Sequence, residues 1–135
     1  MYKISKKMEI RAAHQLNLDY ESKCNDLHGH NWIITVRCAA FKLNHNGMVV
    51  DFTRIKELVH NKLDHKNLDD VLDFNTTAEN IARWVVDLIP ECYECTVEET
   101  IGNSASYTDV SHEYFAHTAE TAFEIIEKYR RERHA

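Results

Sequence analysis

Between Cys24 and His30 the chain reads Cys-Asn-Asp-Leu-His-Gly-His, then runs from Asn31 to Phe41 through residues dense in β-branched and aromatic side chains. Such a run favours an extended strand. Successive side chains of a strand alternate between faces, so His28 and His30, two apart, point the same way. Gly29 leaves the opposite face bare, where a backbone or ligand can approach closely. Two imidazoles on one face can share a metal ion, although a solitary His-x-His pair is commonly just two strand-end histidines. A third imidazole strengthens the metal reading. From Tyr2 to His14, Ile4, Met8, Ile10 and Ala12 fall on alternating positions of a half-buried strand whose outer face carries Lys3 and Lys7. An antiparallel neighbour would carry His14 to the pair. Three histidines with a fourth position open describe catalytic rather than structural zinc. Cys24, in a loop just upstream, is near enough to reach a substrate held there, and a thiolate beside a cation is reactive.

The 135 residues make one domain, 1–135, long enough to bury a core without disulfides. The 44% hydrophobic and 28% charged residues are those of an ordinary globular protein. No apolar run approaches the roughly 20 residues that cross a bilayer, and the charged N-terminal segment has no signal-peptide core, so a cytoplasmic protein without a membrane is expected. A net charge of −6 argues against a nucleic-acid binder. In a reducing compartment Cys24, Cys38, Cys92 and Cys95 are thiols, Cys38 belonging to an apolar strand. Cys92-x-x-Cys95 lacks a second metal-binding pair and follows Pro90 rather than a thioredoxin-like strand, which makes it a structural pair.

Asn44-His45-Asn46-Gly47 turns the chain. Asp51 is a plausible N-cap for a helix carrying Ile55, Leu58, Val59 and Leu63 at helical spacing. At its end Asp64 stands beside His65. The carboxylate can set the charge and orientation of that imidazole, or the histidine can simply answer the helix dipole. Thr76 and Glu79 have the spacing of a capping box for a second helix, which Pro90 ends. Thr96 to Thr100 and Ala105 to Val110 read as a hairpin around Gly102-Asn103, in which one of Glu98 and Glu99 must point inward and find donors. Ser111 can cap a last helix to about Arg133, with Phe115, Ala119, Ala122, Phe123 and Ile126 on one face and His112 and His117 as packing or surface residues.

Taken in order, Ala12-Ala13-His14, Cys24-x-x-x-His28-Gly29-His30, Leu63-Asp64-His65-x-x-Leu68, Thr77-Ala78-Glu79-Asn80 and Val97-x-Glu99-Thr100 resemble the motifs of the 6-pyruvoyl-tetrahydropterin synthase family over about residues 4 to 109. Three residues between the cysteine and His-Gly-His resemble the bacterial queuosine-pathway branch, which makes 6-carboxy-tetrahydropterin. The animal-type branch typically has a longer spacing, and a folate-bypass branch has a glutamate in place of Cys24. The resemblance implies an α+β tunnelling fold with a four-stranded antiparallel sheet and two helices on one face. Here residues 1–110 form the family core and 111–135 an extra C-terminal helix. It implies a trimer or hexamer with sites between subunits, and zinc held by His14, His28 and His30. It further implies a lyase acting on 7,8-dihydroneopterin triphosphate, with Cys24, Asp64 and His65 as catalytic groups and Glu99 and Thr77 at the pterin. Lys23 and Lys66, each beside a motif, are candidates for the triphosphate, and Arg11 a weaker one. The extension after Val110 and the Met8-Glu9-Ile10-Arg11 lead, where the family often has phenylalanines, depart from the pattern without removing a catalytic group. Rival readings are the pyruvoyl-forming enzyme and a pterin- or zinc-binding protein without catalysis.

Overall fold

A computed structural model describes residues 1–115 together with 123, 127, 130 and 131. Alternation of apolar and polar residues yields two long strands, β1 (Tyr2–His14) and β2 (His28–Ala40), paired antiparallel from Tyr2↔Ala40 to His14↔His28. β2 begins three residues before the apolar run, so His28-Gly29-His30 is itself part of the ladder. β4 (Cys92–Thr100) pairs with β2 and with β5 (Asn103–Thr108), both antiparallel. The hairpin thus starts at Cys92, four residues earlier than Thr96.

The sheet has five strands in the order β3-β1-β2-β4-β5 rather than four. The addition is β3 (Lys66–Asn67), a two-residue strand running parallel to Ala12 and Ala13. So short a strand has no alternation to read, and it follows directly from the His65 N–H donating to Arg11 O at 2.7 Å.

The first helical stretch is interrupted. Capped by Asp51, whose carboxylate accepts from Thr53 N–H, α1 (Phe52–Ile55) passes into a π turn (Lys56–His60) and then α2 (Asn61–Leu63). α3 (Leu68–Val71) follows, capped by Asn67. α4 (Ala78–Leu88) packs Ile81, Ala82, Val85 and Val86 on β4 and β5. Its cap is Thr77, whose hydroxyl accepts from Asn80 N–H at 3.1 Å, not the Thr76 of the expected capping box.

α1 to α4 pack on one sheet face, where Ile10, Trp32, Ile34, Val36, Val97 and helical residues such as Ile55 and Val85 form the core. Cys38, Cys92 and Cys95 lie within it as free thiols, the structural role expected of them. Hydrogen bonding with Cys92 and burial push Cys38 far above the usual thiol range, and burial does the same to Cys95, which leaves both inert. Residues 113–115 start a helical turn after β5, with Tyr114 stacked on Tyr93 at 4.4 Å and His112 Nε2 3.1 Å from Glu91 O. The remainder of the expected C-terminal helix, His117 included, lies outside the described residues.

Candidate metal centre

Register decides the site. His14 faces His28 across the β1–β2 ladder and His30 faces Ala12, which makes His30 the diagonal neighbour of His14 on the core-facing side. The three rings meet edge to face, with centroids 4.5 Å (His14–His28), 4.7 Å (His28–His30) and 5.2 Å (His14–His30) apart. Trp32 supports them from below, its ring centroid 4.7 Å from His14 and 5.2 Å from His30, its indole N–H donating to Ala12 O at 3.1 Å.

Each strand supplies a reason for the direction these rings take. His28 Nδ1 lies 2.6 Å from Asp26 O, and His14 Nδ1 lies 2.8 Å from Thr76 O. A carbonyl only accepts, so both rings carry their proton on Nδ1 and turn an unprotonated Nε2 inward. Among the described residues, the buried Nε2 atoms of His14 and His30 face no polar partner except the Glu99 carboxylate. Imidazole nitrogens gathered in a core are costly unless something binds them. Burial pushes the His30 imidazole below its usual value against the opposing pull of Glu99, which favours the neutral ring that ligates metals.

Glu99 completes the group. Beyond the Ile33↔Glu98 pair the register turns Glu99 onto the face of the histidines, which identifies the inward carboxylate. Its Oε1 approaches His30 Nε2 at 2.7 Å and His14 Nε2 at 3.4 Å. One donor atom from each of His14, His28, His30 and Glu99 lies within 4.8 Å of the others. Three neutral imidazoles and a carboxylate suit a divalent transition metal, so the residues fit the ion expected there. Glu99, expected at the pterin, is therefore itself one of the grouped donors, and it also lines a hollow of about 230 Å³ with Asn103 and Ser104.

Asp64 and His65 form a separate pair at the β1–β3 edge, with Asp64 Oδ2 3.5 Å from His65 Nε2 and 3.7 Å from His60 Nε2. The Arg11 N–H donates to Asp64 Oδ1 at 3.0 Å and, with the nearby histidines, holds this carboxyl below the usual range against a smaller effect of burial. An open cavity of about 420 Å³ is lined by Arg11, Gly29, His30, His65 and Lys66. It brings Lys66 and Arg11 beside the Asp64–His65 pair. Lys23 and Cys24 are not among its walls; both lie in a single 3-10 turn, Lys23–Asn25, tied back by Leu16 N–H donating to Cys24 O at 2.8 Å. Cys24 is partly buried and is not one of the grouped donors. Thr77 sits at the head of α4 with its hydroxyl engaged in capping.

Asp69, Thr76, Trp32 and His60 escaped the sequence reading. The spacing of Thr76 reads as a capping box, no local pattern links Asp69 to the site, and the signal for His60 is its i,i+4 spacing from Asp64.

Residues 3–110 match the family described as 6-pyruvoyl tetrahydropterin synthase. The chain belongs to this family. A Synechocystis relative named 6-carboxy-5,6,7,8-tetrahydropterin synthase is 36% identical over 121 residues, covering 79% of this chain and 93% of its own length. A Bacillus subtilis relative of the same name is 29% identical over 116 residues, covering 73% and 80%. The structure of Caenorhabditis elegans 6-pyruvoyl tetrahydropterin synthase superimposes with a TM-score of 0.64 at 28% identity, over 80% of this chain and 95% of that one. The tunnelling fold follows. Among the described residues no helix is long and apolar enough to cross a membrane.

Proposed function

We propose that this chain is a zinc-dependent 6-carboxy-5,6,7,8-tetrahydropterin synthase, a lyase that converts 7,8-dihydroneopterin triphosphate and water to 6-carboxy-tetrahydropterin, acetaldehyde and triphosphate in queuosine biosynthesis. The observation that carries this is the convergence of His14, His28 and His30, with the Nδ1 protons of His14 and His28 committed to backbone carbonyls. Zinc bound there would act as a Lewis acid toward the hydroxyls of the substrate side chain. Cys24 takes a carbon-bound proton. Asp64 orients His65 and raises its basicity, so that His65 returns a proton, a contribution of roughly 10²–10⁴-fold for a well-placed pair. With zinc on the three histidines, Glu99 would be released from His30 Nε2 and accept two hydrogen bonds from the amino-pyrimidine edge of the ring, in the hollow it lines. Thr77 stands nearby, one residue before the hollow's Ala78. Lys66 and Arg11 hold the triphosphate from the larger cavity, with Lys23 approaching from the loop of Cys24. Because Cys24 is not among the walls of the cavity that His65 lines, the complete site draws on a second copy, in a trimer or hexamer. An active, monodisperse monomer in sedimentation would contradict that assembly.

Likeness to the C. elegans enzyme favours a second reading, 6-pyruvoyl-tetrahydropterin formation, in which triphosphate is eliminated and the side chain kept. Incubating zinc-loaded protein with 7,8-dihydroneopterin triphosphate, alongside Cys24→Ala, separates the two by mass spectrometry and an acetaldehyde assay. Carboxy-pterin with acetaldehyde, lost in the variant, supports the proposal. Pyruvoyl-pterin moves the chain to the second reading, and tight pterin binding without turnover leaves a binding protein of the same fold.

A further inference from the structure

We infer that Asp69 is a positioning residue for the metal centre, acting through the hydroxyl of Thr76 on the ring of His14. The inference rests on the metal-centre reading above but not on the reaction assigned to it. His14 Nδ1 lies 2.8 Å from the Thr76 carbonyl oxygen and 3.3 Å from Thr76 Oγ1. A hydroxyl can accept from the ring only when its own proton is directed elsewhere. Asp69 Oδ1, 2.9 Å from Thr76 Oγ1, takes that proton. A carboxylate has none to give, so each proton in the chain from Asp69 through Thr76 to His14 has one direction.

The second oxygen of the same carboxylate does related work. Asp69 Oδ2 accepts the N–H of Gln15, the residue after His14, at 2.8 Å. One side chain therefore holds the backbone leaving the ligand and the hydroxyl beside its ring. Asp69 is itself oriented at the start of α3, its N–H donating to Asn67 Oδ1 at 3.1 Å. Alongside, Asn75 Oδ1 accepts from Asn17 N–H at 3.0 Å, so the segment after His14 is fastened to the α3–α4 connection at two points. His14 and Thr76 are fully buried, whereas Asp69 is exposed. The relay thus carries negative charge from the surface to the back of a buried ligand, where it increases ligand basicity and favours a bound cation. His28 has only the Asp26 carbonyl behind it.

The test compares wild type with Asp69→Ala, Asp69→Asn, Thr76→Val and the Asp69→Ala/Thr76→Val pair. Three quantities are read: zinc affinity by competition with a chromophoric chelator, thermal unfolding of the metal-free protein, and the His14 Hδ1 resonance. Asp69→Ala is expected to weaken zinc binding by about 10–100-fold, read separately from the destabilisation of the metal-free protein that losing its bonds to Thr76 and Gln15 brings. Its Hδ1 signal should broaden through faster exchange. Asp69→Asn, which has one acceptor oxygen where two are needed, should fall between. The double variant should be no worse than the poorer single one, as for groups acting in one chain. Zinc affinity of Asp69→Ala within about twofold of wild type would overturn the inference, since outer-shell partners are worth about tenfold or more. Absent pterin turnover with zinc binding still sensitive to Asp69 would sink the enzyme reading and leave the positioning role standing.

Discussion

At Asp64 the charged form is favoured by the Arg11 N–H first and by His65 and His60 after it. A carboxyl whose folded value is depressed contributes stability above its unfolded value, about 3.9, and loses it as pH falls through the folded value. Asp64→Asn should therefore unfold more easily than wild type at neutral pH, and the difference should close below about pH 4 in denaturant titrations. His65 next to it has φ of 57°, in the left-handed region that costs a non-glycine residue roughly 1–2 kcal/mol. Strain of this kind persists where the surroundings enforce it, here the 2.7 Å bond from His65 N–H to Arg11 O. His65→Gly should match or exceed wild-type stability, by up to roughly 1 kcal/mol, while turnover falls roughly 10²–10⁴-fold. Equal turnover in that variant would remove His65 from the reaction.

Among the elements, α4 depends on its cap. Thr77→Ala should cost about 1 kcal/mol in chemical unfolding, and Thr77→Ser much less. The adjacent Thr76 has equally good local spacing, but its hydroxyl is taken by Asp69, a residue seven positions back. Two neighbouring threonines cannot be ranked as caps by spacing alone. In β2, a Cβ on Gly29 would lie 3.9 Å from Ala12 O, an ordinary contact. Nothing within the chain therefore demands glycine there. Gly29→Ala should preserve the fold and add roughly 0.5–1 kcal/mol of stability. If the cavity it lines receives substrate, KM should rise at the same time. The π turn at Lys56–His60 leads into α2, and His60 meets Asp64 at the i,i+4 spacing that brings side chains together on one helical face.

For the whole molecule, a metal held by β1, β2 and β4 would fasten three strands that are distant in sequence. A ligand that binds only the folded state stabilises it by about 2.7 kcal/mol at a concentration 100 times its Kd. Zinc should accordingly raise the unfolding temperature of wild type and chelator should reverse it, with no such response in His14→Ala. A wild type indifferent to zinc would remove the metal centre.

Alternation along Tyr2–His14, the β-branched run after His30 and the amphipathic helix before Pro90 were legible because they are local periodicities. The same holds for the histidine trio, since side-chain direction on a strand follows from position alone. The α+β class and the motifs in their order thus came from the chain itself. Periodicity left Glu98 and Glu99 open and the resemblance named Glu99, but only tertiary structure put its carboxylate 2.7 Å from His30 Nε2, since that depends on how β4 pairs with β2. Tertiary structure alone added β3 to the sheet and left Cys24 out of the walls of the cavity that His65 lines. The bond between Asp69 and Thr76 and the one between Thr76 and His14 span seven and 62 positions, and no local pattern records a hydrogen bond that exists only once the chain has closed on itself.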